Sequence, residues 1–125
     1  MKDGRRITVF TVDDSEIVHK VLGLMLHEIE NVNWLAHAFS LSQAYELLDE
    51  KRPEIVILDI HLKEENSFGL LEYIGKNYPD ITVIMLSNIA TQPYRKKCAE
   101  LGAKYFLDKS SEFEKIPSIL KELSN

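Results

Sequence analysis

Asp13 and Asp14, Asp59, Ser87 and Lys109 each stand within two residues of the end of a short apolar run. The runs are 7–12, 54–58, 82–86 and 104–107; a fifth, 34–39, ends in Phe39 and Ser40 and offers only a helix cap. If the runs are parallel strands of one sheet, their carboxyl ends meet along one rim, where such folds bind ligands. Three carboxylates, a hydroxyl and an ammonium then share that rim. Carboxylates a few ångströms apart repel unless positive charge sits among them. A hard divalent cation with oxygen ligands, Mg²⁺ above all, meets that need and is commonly completed by a phosphate oxygen. The lysine and the hydroxyl supply donors for a phosphoryl group, and one carboxylate can act as nucleophile to give an aspartyl phosphate. Catalysis of that kind is positioning plus charge neutralisation, with little acid–base work.

The elements that must hold these residues are legible as two periods. The five runs are rich in Val, Ile and aromatics, and three are almost wholly apolar, as in strands buried on both faces. Between them lie helical stripes: Val18, Leu22, Met25 and Ile29; Leu41, Ala44, Tyr45 and Leu48; Leu70, Leu71, Ile74 and Tyr78. Tyr94, Cys98 and Leu101 make a fourth stripe, and Phe113, Ile116, Leu120 and Leu123 a fifth. Ser40 with Gln43 reads as a capping box, and so does Ser111 with Glu114. Pro53 and Pro79 stop the second and third helices, and Gly102 stands where a left-handed helix end is wanted. Pro117 falls too deep for a helix starting at Ser111, so a single turn over 111–115 and a main helix from about Pro117 are expected. Five strands alternating with five helices predict an α/β, doubly wound parallel sheet covered on both faces.

Composition narrows the function classes. Fifteen Lys and Arg against twenty Asp and Glu give a net charge of −5, which argues against a direct nucleic-acid binder. One cysteine excludes an intramolecular disulfide and a cysteine metal cluster, and fits a reducing compartment. No apolar run approaches the roughly 20 residues that span a bilayer. Residues 1–6 are basic, but the apolar run behind them meets Asp13 and Asp14 too soon for a signal peptide. These features predict a soluble, cytoplasmic chain forming one domain over 1–125. A flavin binder of the same layered type needs a Ser/Thr/Gly phosphate loop where this chain has two acids. A phosphatase with an aspartate nucleophile wants its two acids spaced by one residue, which Asp13 and Asp14 are not.

Four motifs jointly carry a resemblance over essentially the whole length: Val12-Asp13-Asp14-Ser15, Ile55-Val56-Ile57-Leu58-Asp59, Ile84-Met85-Leu86-Ser87, and Gly102-Ala103-Lys104-Tyr105-Phe106-Leu107-Asp108-Lys109. The chain resembles the receiver domain of two-component response regulators, of the stand-alone type. The resemblance implies a flavodoxin-like sheet of order 2-1-3-4-5, counting the five runs. It implies that Asp59 is the phospho-acceptor, fed by a sensor histidine kinase or a phosphotransfer protein. Asp13, Asp14, Asp59 and the main-chain carbonyl of His61 would hold Mg²⁺, and Ser87 and Lys109 would bind the phosphoryl oxygens. Phe106 stands at the family's switch aromatic, coupled to Ser87. A downstream protein would dock on the fourth helix, fifth strand and fifth helix, where Arg95, Lys96 and Lys97 lie; neither nucleic acid nor membrane is an expected direct partner. The same site would hydrolyse its own ester.

Several positions depart from the family pattern. Ser110 replaces the usual cis-linked proline, and since a cis bond to serine costs about 3–4 kcal/mol, a trans bond is expected. Asn88 replaces a small residue, and the segment after Asp59 is longer than usual, which costs well under about 1 kcal/mol to close. These departures support the competing reading, a phosphorylation-independent interaction module of the same fold. Elsewhere, His19 and His27 are expected to face solvent and His37 to hold no metal. His61 overlooks the site, Cys98 belongs to the core, and Trp34 packs on its strand.

Overall fold

Apolar strands fed alternately by amphipathic helices leave one economical arrangement, a sheet sandwiched between two helical layers. The computed structural model describes residues 6–124. Its first half contains β1 (Ile7–Val12), α1 (Glu16–His27), β2 (Val32–Ala38), α2 (Leu41–Lys51) and β3 (Ile55–Asp59). There follow β4 (His61–Leu62), β5 (Glu65–Asn66), α3 (Phe68–Asn77), β6 (Thr82–Ser87), α4 (Gln92–Glu100) and β7 (Tyr105–Asp108). A 3-10 turn at Phe113–Lys115 leads into α5 (Ile116–Leu123). The main sheet is parallel with order β2-β1-β3-β6-β7, which is the expected 2-1-3-4-5 once the small β4–β5 hairpin is set aside.

Strand alternation divides the core. Phe10, Val12, Val56, Leu58, Val83 and Met85 pack with α2, α3 and α4 through Ala44, Leu48, Leu70, Ile74 and Cys98. Ile7, Val9, Ile55, Ile57, Ile84 and Leu86 pack on the other face with α1 and α5 through Leu22, Leu26, Ile116 and Leu120. β3, at the centre, is buried along its whole length. Burial pushes the Cys98 thiol up to about 11, so it stays protonated in the core.

Local chemistry sets the boundaries. Ser15 Oγ accepts from Val18 N at the start of α1. Ser40 Oγ accepts from Gln43 N at 3.2 Å while Gln43 Oε1 accepts from Phe39 N at 2.8 Å, a capping box displaced by one residue on its return bond. Gly102 follows α4 with φ +109°, and a Cβ there meets nothing within 4 Å. Gly102→Ala therefore tests backbone strain alone. A loss of about 1 kcal/mol in denaturant unfolding is expected, and an unchanged midpoint would show that the turn relaxes freely.

The structure corrects several expectations. β2 starts two residues earlier than the apolar run, and it carries a bulge. Glu54 lies before β3, where its carboxylate accepts from Thr8 N at 2.9 Å. The Ser111–Glu114 capping box does not form. Glu112 instead ties the turn back to β7, its carboxylate accepting from Asp108 N at 2.9 Å, while α5 begins at Ile116 with Pro117 in its first turn. His27 is exposed as expected, but His19 is half-buried among Trp34, His37 and Phe39, with ring centroids 5.3, 4.4 and 5.1 Å away. The segment after Asp59 is a hairpin with His61 paired to Asn66 and Lys63 at φ +57°, the left-handed value its two-residue turn requires. No cis peptide bond occurs among the described residues, so the Lys109–Ser110 bond is trans. Residues 1–5, most of the basic stretch weighed as a leader, lie outside the described residues.

Candidate functional site

The carboxyl ends of β1, β3, β6 and β7 meet at one rim, and the parallel registers bring their terminal residues level. Asp59 pairs with Leu86 across β3–β6, and Ser87 pairs with Asp108 across β6–β7. One carboxylate oxygen from each of Asp13, Asp14 and Asp59 lies within 4.8 Å of the others. Lys109 Nζ sits between two of them, 2.7 Å from Asp13 Oδ2 and 2.9 Å from Asp59 Oδ2. These side chains are largely withdrawn from water: 1% exposed for Asp13, 8% for Asp59 and 11% for Lys109.

Neighbouring main-chain groups fix each acid. Ser15 N donates to Asp13 Oδ1 at 2.8 Å, and His61 N reaches Asp59 Oδ1 at 3.4 Å. Lys63 N, at the hairpin turn, donates to Asp14 Oδ2 at 2.7 Å. Ser67 Oγ donates to the main-chain carbonyl of Asp59 at 2.7 Å. Sequence reading missed Lys63 and Ser67. A serine opening a helix reads as a cap, yet Ser67 makes no side-chain cap bond and turns back to the end of β3.

Electrostatics follow from this packing. Burial raises the Asp59 carboxyl from an ordinary 3.8 to about 6, with hydrogen bonding from Lys109 opposing the rise and Asp13 adding to it. Burial works against the Lys109 charge, but its bonds to Asp13 and Asp59 prevail and raise its pKa. Three acids face one ammonium, and Asp13 Oδ2, although ion-paired, is buried with no directional hydrogen bond. A pocket of three carboxylates with surplus negative charge over the one ammonium fits a hard divalent cation.

The remaining candidates stand as follows. Ser87 is fully buried, and its hydroxyl donates to Ile89 O at 3.1 Å and accepts from Ile89 N at 2.9 Å, so it is engaged in its own turn. Asn88 is exposed. His61 packs against Tyr94 at 5.7 Å, with its Nε2 buried and unbonded. Phe106 is half-buried, with the Arg95 guanidinium 4.9 Å from its ring centroid and Arg95 Nη1 donating to its carbonyl at 3.3 Å. Arg95 also pairs with Glu112 and Lys97 lies over Phe68, while Lys96 of the same run is exposed. Backbone donation from Asp108, then Lys115, holds Glu112 down to about 2. Where a proline was expected, Ser110 N and Oγ both donate to Asp108 Oδ1, at 3.0 and 2.7 Å. A groove of about 940 Å³ between α1 and β2 is lined by none of Asp13, Asp14 and Asp59.

Comparison with known proteins agrees with this geometry. A family model for the response regulator receiver domain matches residues 9–121. The chain is 32% identical over 111 residues to a protein-glutamate methylesterase/protein-glutamine glutaminase of Treponema pallidum, covering 87% of this chain and 28% of that protein. It is 34% identical over 117 residues to a putative NtrX-like response regulator of Rickettsia bellii, covering 92% and 24%. The chain thus spans less than a third of the length of these curated relatives. Among solved structures, the response regulator domain of Thermotoga maritima CheB superposes with a TM-score of 0.82 at 26% identity, covering 96% of this chain and 94% of that one. Matched by that family model over most of its length and sharing its fold with a solved receiver domain, the chain belongs to the response regulator receiver domain family.

Proposed function

We propose that Asp59 accepts a phosphoryl group from a sensor histidine kinase or a phosphotransfer protein, and that the chain over 1–125 signals through protein contacts as one receiver unit. One observation carries the reading: a buried carboxylate at the end of the central strand shares an ammonium with a second buried acid, beside a third. Asp13, Asp14, Asp59 and the main-chain carbonyl of His61 are the residues that would hold Mg²⁺. Bound there, Mg²⁺ supplies charge neutralisation for the incoming phosphoryl oxygens.

The chain's own residues do the rest. With its carboxyl at about 6, Asp59 is mostly ionised at pH 7 and can attack phosphorus as the donor's phosphorus–nitrogen bond breaks. The proton needed by the departing imidazole comes from solvent. Lys109 follows the developing charge from the carboxylates to the phosphoryl oxygens. Ser87 must release Ile89 to donate to those oxygens, which couples the site to the β6–α4 turn. Phe106, beside Met85 of β6 in the ladder register, carries that change towards α4 and α5, the face proposed for a downstream protein. We place this activity in the cytoplasm; among the described residues no helix is long and apolar enough to cross a membrane.

Incubation with acetyl phosphate and Mg²⁺ tests the reading. Intact mass should rise by one phosphoryl group per chain, and hydroxylamine should release that group, as an acyl phosphate demands. Ser87, tied to its own turn, favours the competing reading of a phosphorylation-independent module. A folded chain that gains no mass and evolves no heat with Mg²⁺ would establish that one instead.

A further inference from the structure

β1 ends at Val12, so the carbonyl of Asp13 lies beyond the strand and takes its donor from a side chain. His37 Nε2, on the edge strand β2, lies 2.9 Å from Asp13 O. His37 Nδ1 lies 2.6 Å from Thr11 Oγ1, and the Trp34 indole donates to the same oxygen at 3.0 Å. The direction of this chain follows from the groups at its ends. An indole N–H can only donate, and a carbonyl can only accept. Nε2 therefore carries the proton, Nδ1 accepts from the Thr11 hydroxyl, and Thr11 Oγ1 accepts from Trp34, so every member is satisfied with a neutral ring.

The sheet is deformed to make this possible. Trp34 and His37 are three residues apart, a spacing that points side chains to opposite faces in a regular strand. The β1–β2 ladder slips between Val9↔Trp34 and Phe10↔Ala36, leaving Leu35 as an extra residue. Beyond the bulge, His37 pairs with Thr11, and both rings reach the same hydroxyl. His19 of α1 then packs on His37 at 4.4 Å and holds the imidazole from outside. Bulges beside functional sites commonly re-aim a side chain in this way.

We infer that His37 is a positioning residue for Asp13: its N–H on the Asp13 carbonyl, oriented by Thr11 and Trp34, holds the main chain from which that carboxylate enters the acidic pocket, and so sets the pocket's affinity for Mg²⁺. The inference rests on the metal role proposed for Asp13. That residue is otherwise fixed by its N–H on Ala38 O at 3.0 Å, by Ser15 N and by the Lys109 ion pair. The ion pair is the contact a cation disturbs, which leaves the main-chain anchors to keep the carboxylate aimed.

Calorimetric titration of Mg²⁺ alone into the full chain tests this. His37→Phe keeps a ring against His19 but has no N–H to donate. Its Mg²⁺ affinity is expected to fall about ten-fold, the usual scale for losing a group that orients a ligand. The Mg²⁺ concentration for half-maximal acetyl phosphate labelling should rise with it, while the plateau at saturating Mg²⁺ stays unchanged. His37→Gln, whose amide can reach the same carbonyl, should recover part of the affinity. Thr11→Val removes the hydroxyl that orients Nδ1 and should weaken Mg²⁺ in the same direction, whether or not His37→Phe folds. Wild-type affinity in folded Thr11→Val or His37→Phe overturns the positioning role. A wild-type chain that takes up no Mg²⁺ overturns the metal reading itself, and the inference with it.

Discussion

Asp59→Asn should lose all labelling by acetyl phosphate and, without metal, should melt above the wild type. The first effect is chemical, because an amide oxygen does not form the acyl phosphate. The second follows from the direction of the pKa shift. Burial raises the Asp59 carboxyl from 3.8 to about 6 in the folded chain, so its charged form is less at home there than in the unfolded one. An acid shifted upward contributes stability that is fully present below its unfolded value and is lost as pH rises through its folded one. At pH 8 the wild type therefore carries an unfavourable contribution on the order of 3 kcal/mol that the amide avoids. Thermal melts should place the variant several degrees higher at pH 8, with the gap closing towards pH 4, where the wild-type carboxyl is itself neutral. Adding Mg²⁺ should reverse the order, since a ligand that binds only the folded chain raises its stability and the wild type keeps the full set of acids. A labelled variant would place the acceptor elsewhere. A variant less stable than wild type at pH 8 would show that the Asp59 charge is well solvated or fully compensated.

The acids and the lysine were legible because their placement needs only one-dimensional information. Each follows an apolar run, and a parallel sheet sends every such end to the same rim. The contacts that hold them were not, because they join residues through deformations that leave no local signal. The bulge at Leu35 is one: with regular alternation Trp34 and His37 diverge, and His19 has no aromatic groove to enter. The hairpin after Asp59 is another. Lys63 takes a left-handed φ that Gly or Asn usually announces, and its amide meets a carboxylate 49 residues away. Spacing also matched a pattern that chemistry did not use. Ser111 and Glu114 have the interval of a capping box, but Glu112 accepts from the Asp108 N–H and pairs with two cations, Arg95 and Lys115, so it organises the turn. Motif residues are thus readable from order alone, whereas their supporting contacts depend on registers that only the folded chain defines.

Lys109→Met gives the largest stability change expected here. Methionine keeps much of the apolar stem and removes the ammonium, leaving the Asp13 and Asp59 carboxylates buried beside Asp14 with no positive charge between them. Breaking a buried ion pair by removing one partner costs about 3–5 kcal/mol, because the stranded charge stays desolvated. At pH 8 without metal, the melting temperature should fall by about 10 °C. Two dependences separate this origin from lost packing. Hydrogen bonding from Lys109 is the chief influence holding the Asp59 carboxyl down, so its removal moves that carboxyl above about 6. The deficit relative to wild type should then shrink as pH falls through that region and the acid takes up a proton. Mg²⁺ should raise the variant's melting temperature by more than it raises the wild type's, because a divalent cation supplies the charge that the lysine supplied. A deficit of the same size at pH 5 and pH 8, unmoved by millimolar Mg²⁺, would trace the loss to the stem of the side chain and remove the electrostatic reading of the pocket. Labelling should stay low even where the fold is rescued, since a thioether offers nothing to the phosphoryl oxygens that the Lys109 ammonium is proposed to meet.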